Sequence, residues 1–314
     1  VGSEMCIRDR CGQDGTSLAE WTGVQFVQSD ALIFVGAAGI AVRAIAPHCK
    51  SKTTDPAVVV VDECGRFTVP ILSGHLGGAN DLARTIAAVC GAVPVITTAT
   101  DAHGIFAVDE WAKHQNCMVL EPERIKLVSG KLLAGQPVYY WADIPVTGTV
   151  PAGLFPAEAP EKADLALTLC PTGQALHLVP RIGVLGIGCK RGTSADTLEA
   201  AFAAFCARHG LAAQTVTAAA SIDLKQNEPG LLAFCQAHSW PVRFYTAALL
   251  RSAPGQFTPS SFVQSVTGVD NVCERAAVLA SGGFLRIPKQ AGGGVTFAPV
   301  SYTHLRAHET DSYL

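Results

Sequence analysis

The sequence predicts an α/β protein: two three-layer, doubly wound domains with largely parallel sheets, joined by a less regular middle segment. Three observations carry that expectation. Short apolar runs of strand length recur, each followed by a glycine turn and then by apolar residues at helical spacing. This alternation occurs in the first third of the chain and again after residue 180, and it is the pattern of parallel sheets wound by crossover helices. The 314 residues, 49% hydrophobic and 16% charged, are enough to bury about two cores of ordinary size.

The elements follow in order. "VGSEMCIRDR" at the front and "VSYTHLRAHETDSYL" at the end carry neither a helix nor a strand period. Both resemble read-through of sequencing adapters, so residues 1–10 and 300–314 are set aside, and an opening strand is expected to be missing. The N-terminal domain then runs over 11–115. "DALIFVGAAGIAVRAIAP" gives a buried strand over Ala31–Val35, a glycine turn and a helix stopped before Pro47. "PAVVVVDECGRFTVPIL" gives two short strands around a turn at Glu63-Cys64-Gly65, a hairpin arm. After the turn "SGHLGG", Leu82, Ile86 and Val89 recur at helical spacing, and "AVPVIT" returns as a strand. A helix over Phe106 to about His114 closes the domain.

The middle segment, 116–180, holds a short strand, a helix near Glu123–Leu133 and "QPVYYWAD". Its stretch "TGTVPAGLFPAEAPEKAD" is rich in Pro, Gly and Ala without a period and reads as a linker. The C-terminal domain, 181–299, opens on "RIGVLGIGCKRGTSADTLEAAFAAFCARHG": a strand, a glycine loop and a helix with Thr193 or Ser194 as N-cap and Gly210 as its stop. "QTVTAAASIDLKQNEPGLLAFCQAHSW" and "PVRFYTAALL" repeat the alternation, "NVCERAAVLASGG" adds a helix, and "FLRIPKQAGGGVTFAPV" reads as a terminal hairpin.

Composition excludes several classes. A net charge of -3 offers no field for nucleic acid, and no run reaches the roughly 18 apolar residues of a membrane span. Eleven cysteines without one C-x-x-C pair argue against structural zinc and suggest free thiols in a reducing, cytoplasmic setting. No Walker loop, G-x-S-x-G elbow, H-E-x-x-H or EF-hand is present.

Candidate functional residues cluster where strands would end, because ligands of parallel α/β sheets sit beyond the carboxyl ends of the strands. Gly77 and Gly78 would leave backbone N–H groups open at the start of a helix, where an anion or oxyanion could bind; the alternative is a tight turn needing positive φ. His75 on that turn suits proton transfer near neutral pH, or is a satisfied structural histidine. Arg43 could clamp a carboxylate or simply be solvated. Asp101 could orient His75, act as the base, or cap a helix. Lys190 and Arg191 in "GIGCKRG" suit a ligand with several negative charges. That loop is G-x-G-x-x-x-G, a weak form of a dinucleotide fingerprint in which Asp223 would meet a ribose. Lys225, Glu228, Asp270, Asn271, Glu274 and Arg275 are further polar residues at helix starts, where capping competes with ligand contact.

Taken together and in order, "GAAGIAVR", "LSGHLGGAND", "ITTATD", "GIFAVDEWA", "GIGCKRGTSAD", "SIDLKQNEPGL" and "TGVDNVCERAA" resemble the cobalt-precorrin-5A hydrolase family of anaerobic cobalamin biosynthesis, from about Asp30 to Pro299. Two departures stand out: the opening strand is truncated, and His103 stands where the family pattern leads one to expect asparagine. The resemblance implies two α/β domains around a middle segment. Its substrate would be a ring-contracted cobalt corrinoid, whose lactone is opened by water with loss of a two-carbon unit as acetaldehyde. It implies no resident metal or cofactor, since cobalt travels with the substrate. The implied partner is that corrinoid rather than nucleic acid or membrane; a homodimer or contact with neighbouring pathway enzymes remains open. On this reading His75 and Asp101 are catalytic. Arg43, Ser73, Gly77, Gly78, Asn80, Lys190, Arg191, Asp223, Lys225, Glu228, Asn271 and Glu274 would contact the substrate. Two other classes stay open from the residues alone: a non-catalytic carrier of corrinoid intermediates, and a nucleotide-dependent oxidoreductase using the "GIGCKRG" loop.

Overall fold

The computed structural model describes residues 16–51, 54–75, 77–102, 104–301 and 305–306, with only the backbone described at Asp101, Ala102, Leu305 and Arg306. The chain forms two compact units, one reaching to Lys113 and the other starting at His114.

The first unit opens with a helix, α1 (Leu18–Gln28), where the sequence reading placed none. Its start is written in the chain: Ser17 accepts from the Glu20 N–H and the Glu20 carboxylate accepts from the Ser17 N–H, a capping box that satisfies two otherwise orphaned donors. β1 (Ala31–Val35), α2 (Ala38–Ile45), β2 (Ala57–Val61), β3 (Phe67–Leu72), α3 (Ala79–Cys90), β4 (Val93–Pro94), α4 (Ala99–Ala102) and α5 (Val108–His114) follow. The four strands pair in chain order. β1 and β2 are parallel with Leu32 opposite Val58, β3 is antiparallel to β2, and β4 is parallel to β3. The reversal comes from the expected hairpin, whose turn is held by the Asp62 carboxylate accepting the N–H groups of Cys64, Arg66 and Phe67.

Every residue of β2 is buried, because helices cover both faces of the sheet. Phe26, Ala41 and Ile45 of α1 and α2 pack on Leu32, Phe34, Val58 and Val60 on one side. On the other, Ala79 and Ala83 of α3 pack on Ala57 and Val59. The apolar stripe of α3 therefore differs from the expected one. Its buried positions are Ala79, Asn80, Ala83 and Ala87; Leu82 and Ile86 flank them, and Val89 is 82% exposed. Small side chains let α3 lie close enough for Thr68 of β3 to donate to the Ala83 carbonyl at 2.9 Å.

In the second unit the middle segment is more regular than expected. β5 (Cys117–Val119), α6 (Ile125–Leu133), β6 (Val138–Ala142), β7 (Val146–Thr147), β8 (Leu154–Pro156), β9 (Leu165–Leu167) and β10 (Leu176–Pro180) come from it. Five of them form a sheet of order β5-β10-β9-β6-β8, parallel except at β5. The Pro- and Gly-rich stretch supplies the edge strand β8, a sheet position that tolerates proline.

The last sheet contains β11 (Gly183–Cys189), β12 (Val216–Ile222), β13 (Val242–Tyr245), β14 (Phe284–Leu285), β15 (Gln290–Gly292) and β16 (Val295–Ser301). Around it lie α7 (Ala195–His209), α8 (Pro229–Ala237), α9 (Ala247–Arg251), α10 (Ser261–Thr267) and α11 (Cys273–Ser281). β13, β12 and β11 are parallel, whereas β16 runs antiparallel between β11 and β14. One face packs Val184, Ala220 and Ile222 against Leu250, Val272, Ala276 and Ala280 of the α9–α11 side. The other gathers Phe202 and Phe205 of α7, Phe234 of α8, Trp240 and Phe297 in edge and tilted contacts 5.3–6.5 Å between centroids. Both sheets wrapped by helices are mixed rather than largely parallel.

The fold also continues past Pro299. Val300 and Ser301 belong to β16 and are 0% and 1% exposed, and β17 (Leu305–Arg306) pairs with β7. Among the described residues, no helix is long and apolar enough to cross a membrane.

Candidate functional site

The loop between β3 and α3 answers why a histidine sits among glycines. Ser73 takes φ 55°, a left-handed conformation uncommon outside glycine, and its hydroxyl donates to the Asp55 carbonyl at 2.9 Å. Asp55 is itself fixed, its carboxylate accepting the N–H groups of Lys50 and Ser51. From that anchored corner the chain turns sharply. A Cβ on Gly77 would lie 2.3 Å from Ser73 Cβ, and Gly78 caps α3 at φ 86°, so both positions need glycine for the turn itself.

The turn also consumes its own donors. The N–H of Gly78 bonds to the His75 carbonyl, that of Ala79 to Ser73 and that of Asn80 to Gly74, at 2.9, 3.1 and 2.9 Å. Of the N–H groups expected to be open at Gly77 and Gly78, that of Gly78 is taken by closing the loop, as are those of Ala79 and Asn80 that follow it. Ser73 and Asn80, expected as substrate contacts, are 8% and 1% exposed. Asn80 donates to Thr98 Oγ1 at 3.2 Å, which ties α3 to the following strand-end loop.

His75 is what the turn presents. Its Nδ1 lies 3.2 Å from Asp109 Oδ2 and its Nε2 3.3 Å from Thr100 Oγ1. The side chains of His75 and Asp109 are 16% and 9% exposed, and Thr100 is 6% exposed. An ionised carboxylate only accepts, so Asp109 selects the tautomer with the proton on Nδ1 and leaves the Nε2 lone pair toward the Thr100 hydroxyl. Among the described side chains, the carboxylate at hydrogen-bonding distance from His75 is Asp109 of α5. The backbone of Asp101 lies in α4, and its side chain falls outside the described residues. Asp109 and Thr100 both lie in the motifs "GIFAVDEWA" and "ITTATD"; sequence reasoning passed over them because an acid in the first turn of a helix looks like an ordinary dipole partner.

Positive charge reaches this loop from α5 as well. Lys113, one turn after Asp109, places Nζ against Gly78, 2.0 Å from where a Cβ would stand. The ammonium is 3.7 Å from Asp81, whose carboxylate also takes Arg84 at 3.1 Å; Arg84 reaches Glu110 at 2.9 Å. A cation at a helix N-terminus opposes the helix dipole, so Asp81 and Glu110 offset a charge that the fold of α3 does not itself ask for. Arg43, on α2, is exposed.

The second cluster belongs to the other unit, at the β11–α7 loop. The Lys190 N–H donates to the Gly294 carbonyl, Thr193 Oγ1 donates to the Lys190 carbonyl at 2.8 Å, and Ser194 caps α7 by accepting from the Thr197 N–H. Glu228, 7% exposed, accepts from the Gly192 N–H with one oxygen and from Lys225 with the other at 3.2 Å. Those contacts, the Gly192 N–H first, hold its carboxyl below the usual range. Lys225 and Glu228 thus buttress the loop. Lys190 and Arg191 are exposed, and neither side chain has a hydrogen bond or ion pair among the described residues. Burial pushes the Cys189 thiol up and outweighs the pull of Lys225, so this loop offers no thiolate. Asp223 is half-buried at the mouth of the same region.

Asn271 and Glu274, expected as substrate contacts, are 1% and 0% exposed. Glu274 accepts from the Thr258 N–H and hydroxyl, the Lys289 N–H and Asn271 Nδ2 at 2.6–2.9 Å, while Asn271 Oδ1 caps α11 by accepting the Glu274 N–H. This carboxylate is fully used in tying two loops to α11.

Comparison with known proteins places His75 and Thr100 inside one matched segment and the β11–α7 loop inside another. Residues 20–101 match the family model "Cobalamin synthesis G N-terminal", and residues 183–299 match "Cobalamin synthesis G C-terminus". The chain is 37% identical over 275 residues to the cobalt-precorrin-5A hydrolase of Salmonella typhimurium, covering 83% of this chain and 78% of that protein. It is 33% identical over 289 residues to the cobalt-precorrin-5A hydrolase of Priestia megaterium, covering 85% and 77%. A shorter match, 32% identical over 145 residues, is to protein CobE of a Sinorhizobium species, covering 44% of this chain and 94% of that one.

Proposed function

Because the chain belongs to the cobalamin synthesis G family, we propose that it is a cobalt-precorrin-5A hydrolase whose chemistry is carried by His75 on the β3–α3 loop. The observation that carries this reading is the imidazole set between Asp109 and Thr100 in a loop rigid enough to close its own hydrogen bonds. Lactone opening needs a base, a charge for the tetrahedral oxyanion and a proton for the leaving oxygen. His75 takes and returns the proton, Asp109 holds its tautomer and stabilises the imidazolium, and Lys113 supplies positive charge beside Gly78, whose own N–H is already bonded.

Once the acyl C–O bond breaks, the extruded carbon carries a hydroxyl group. Loss of that proton and cleavage of the adjoining carbon–carbon bond releases acetaldehyde, and the bonding pair stays with the macrocycle. The corrinoid brings its own cobalt, and on this reading the protein holds no resident metal. In the second unit the exposed Lys190 and Arg191 offer positive charge suited to a ligand with several carboxylates. The nine described cysteines are free thiols, which suits a cytoplasmic location.

The test is release of acetaldehyde from cobalt-precorrin-5A by the wild-type chain and by His75→Gln. The variant should fold and bind substrate as before, and lose about 100- to 10,000-fold in turnover, because glutamine keeps a hydrogen-bonding reach but exchanges no proton near neutral pH. Wild-type turnover by His75→Gln would return His75 to a structural turn residue.

A further inference from the structure

We infer that Thr100 is the nucleophile, so that lactone opening passes through an ester between the Thr100 hydroxyl and the substrate's acetate side chain. The inference rests on the hydrolase reading above and settles what His75 activates. Both ring nitrogens of His75 are engaged: Nδ1 faces the Asp109 carboxylate at 3.2 Å and Nε2 faces Thr100 Oγ1 at 3.3 Å. Asp109 accepts only, so the basic nitrogen is Nε2, and the hydroxyl in front of it is the one whose proton it takes. A water at that position would have to displace Thr100. Hydroxyl, imidazole and carboxylate in this order, each within reach of the next, form the arrangement that activates an alcohol for acyl transfer. A lactone is an ester, the substrate class such an arrangement attacks.

Burial agrees with the assignment. Thr100 and Asp109 are each 6% exposed, so the pair that flanks the imidazole is withdrawn from bulk water and its electrostatic interactions are strengthened. The position is held from two sides. The Thr100 carbonyl accepts the Ile105 N–H at 2.9 Å, and Asn80 of α3 grips Thr98 two residues earlier. Thr100 lies in α4, the short helix reached after β4.

The step balances without a further reactant. Thr100 Oγ adds to the lactone carbonyl carbon as its proton passes to His75 Nε2. The lactone C–O bond breaks, and the leaving oxygen on the extruded carbon takes that proton from His75. Water then adds to the new ester, its proton again going to His75 and from there to Thr100 Oγ, which restores the hydroxyl and frees the substrate carboxylate.

The experiment compares Thr100→Ala, Thr100→Val and Thr100→Ser with the wild-type chain on cobalt-precorrin-5A. Acetaldehyde release is followed together with intact-protein and peptide mass after rapid acid quench. Thr100→Ala and Thr100→Val should fall at least 1,000-fold, and Thr100→Ser should stay within about tenfold of wild type because it keeps the oxygen and drops only the methyl group. The quenched wild-type chain should carry the corrinoid mass on the peptide containing Thr100. Turnover by Thr100→Ala within tenfold of wild type overturns the assignment, as does a Thr100→Ser as inactive as Thr100→Ala, which would mark a packing role. In either case loss of activity in His75→Gln would leave the hydrolase reading standing, whereas an active His75→Gln removes both.

Discussion

At the scale of single residues, the chemistry of the first unit turns on which carboxylate faces His75. A glycine turn at the open edge of an α/β sheet marks His75 in the sequence, because an imidazole there has no packing reason to exist. The carboxylate 34 positions later at 3.2 Å is another matter. It comes from a helix that reaches back over the loop, and no local spacing encodes such a contact. Asp101 was the nearer choice along the chain, and its side chain lies outside the described residues; Asp109 is the carboxylate set against Nδ1. Asp109→Asn is therefore expected to cost between about 10-fold and 10,000-fold in turnover, the upper figure being what loss of the whole proton-transfer apparatus costs. The amide can donate to Nδ1, which selects the wrong tautomer and leaves Nε2 protonated. KM should hold while kcat falls, and Asp109→Glu should recover part of the loss. Equal changes in kcat/KM and melting temperature across both variants would instead assign Asp109 to stability alone.

At the scale of elements, what the sequence shows clearly is what depends on local chemistry. The Asp62 turn, the Ser194 cap and the Gly210 stop of α7 all come out where the residues put them, since each satisfies its own backbone groups within a few positions. The face of α3 does not, because the larger apolar residues suggest a stripe that the alanines actually provide. Glu228 shows the same limit. It looks like a helix-start acid, yet its work is to hold the Gly192 N–H 36 positions away. Its carboxyl is lowered from its ordinary 4.5, so the unfolded chain takes up the proton first as pH drops. The contribution to stability is present above about pH 4.5 and is lost as pH falls through the lower folded value. Amide exchange at Gly192 should therefore lose protection on acidification below that point, while Glu228→Gln should show weak, pH-independent protection. Identical acid profiles for the two proteins would mean that another group controls the loop.

At the scale of the whole molecule, the fold class is legible because strand, glycine turn and helix alternate in the first third of the chain and again after residue 180. The direction of strands that arrive late is not. β16 lies between β11 and β14 and spans the seven-residue length of β11 against the grain of the parallel core, a pairing made across more than a hundred residues. Charge is distributed with similar unevenness. The chain carries a net charge of -3, yet Lys190 and Arg191 stand exposed on one loop, with Arg43 exposed in the other unit. An acidic protein does not attract a polycarboxylate macrocycle by its overall field, so the attraction must be local and short in range. Replacing Lys190 and Arg191 together with alanine should then weaken corrinoid binding strongly at low ionic strength, where the screening length is about 30 Å at 0.01 M, and little near 1 M, where it is about 3 Å. Titration of cobalt-precorrin-5A into both proteins across that range should bring the two affinities together as salt rises. Curves separated by a constant factor at every salt concentration would mean that the substitutions had deformed the loop, because lost shape is not screened. Curves that coincide throughout would mean that Lys190 and Arg191 take no part in binding the corrinoid.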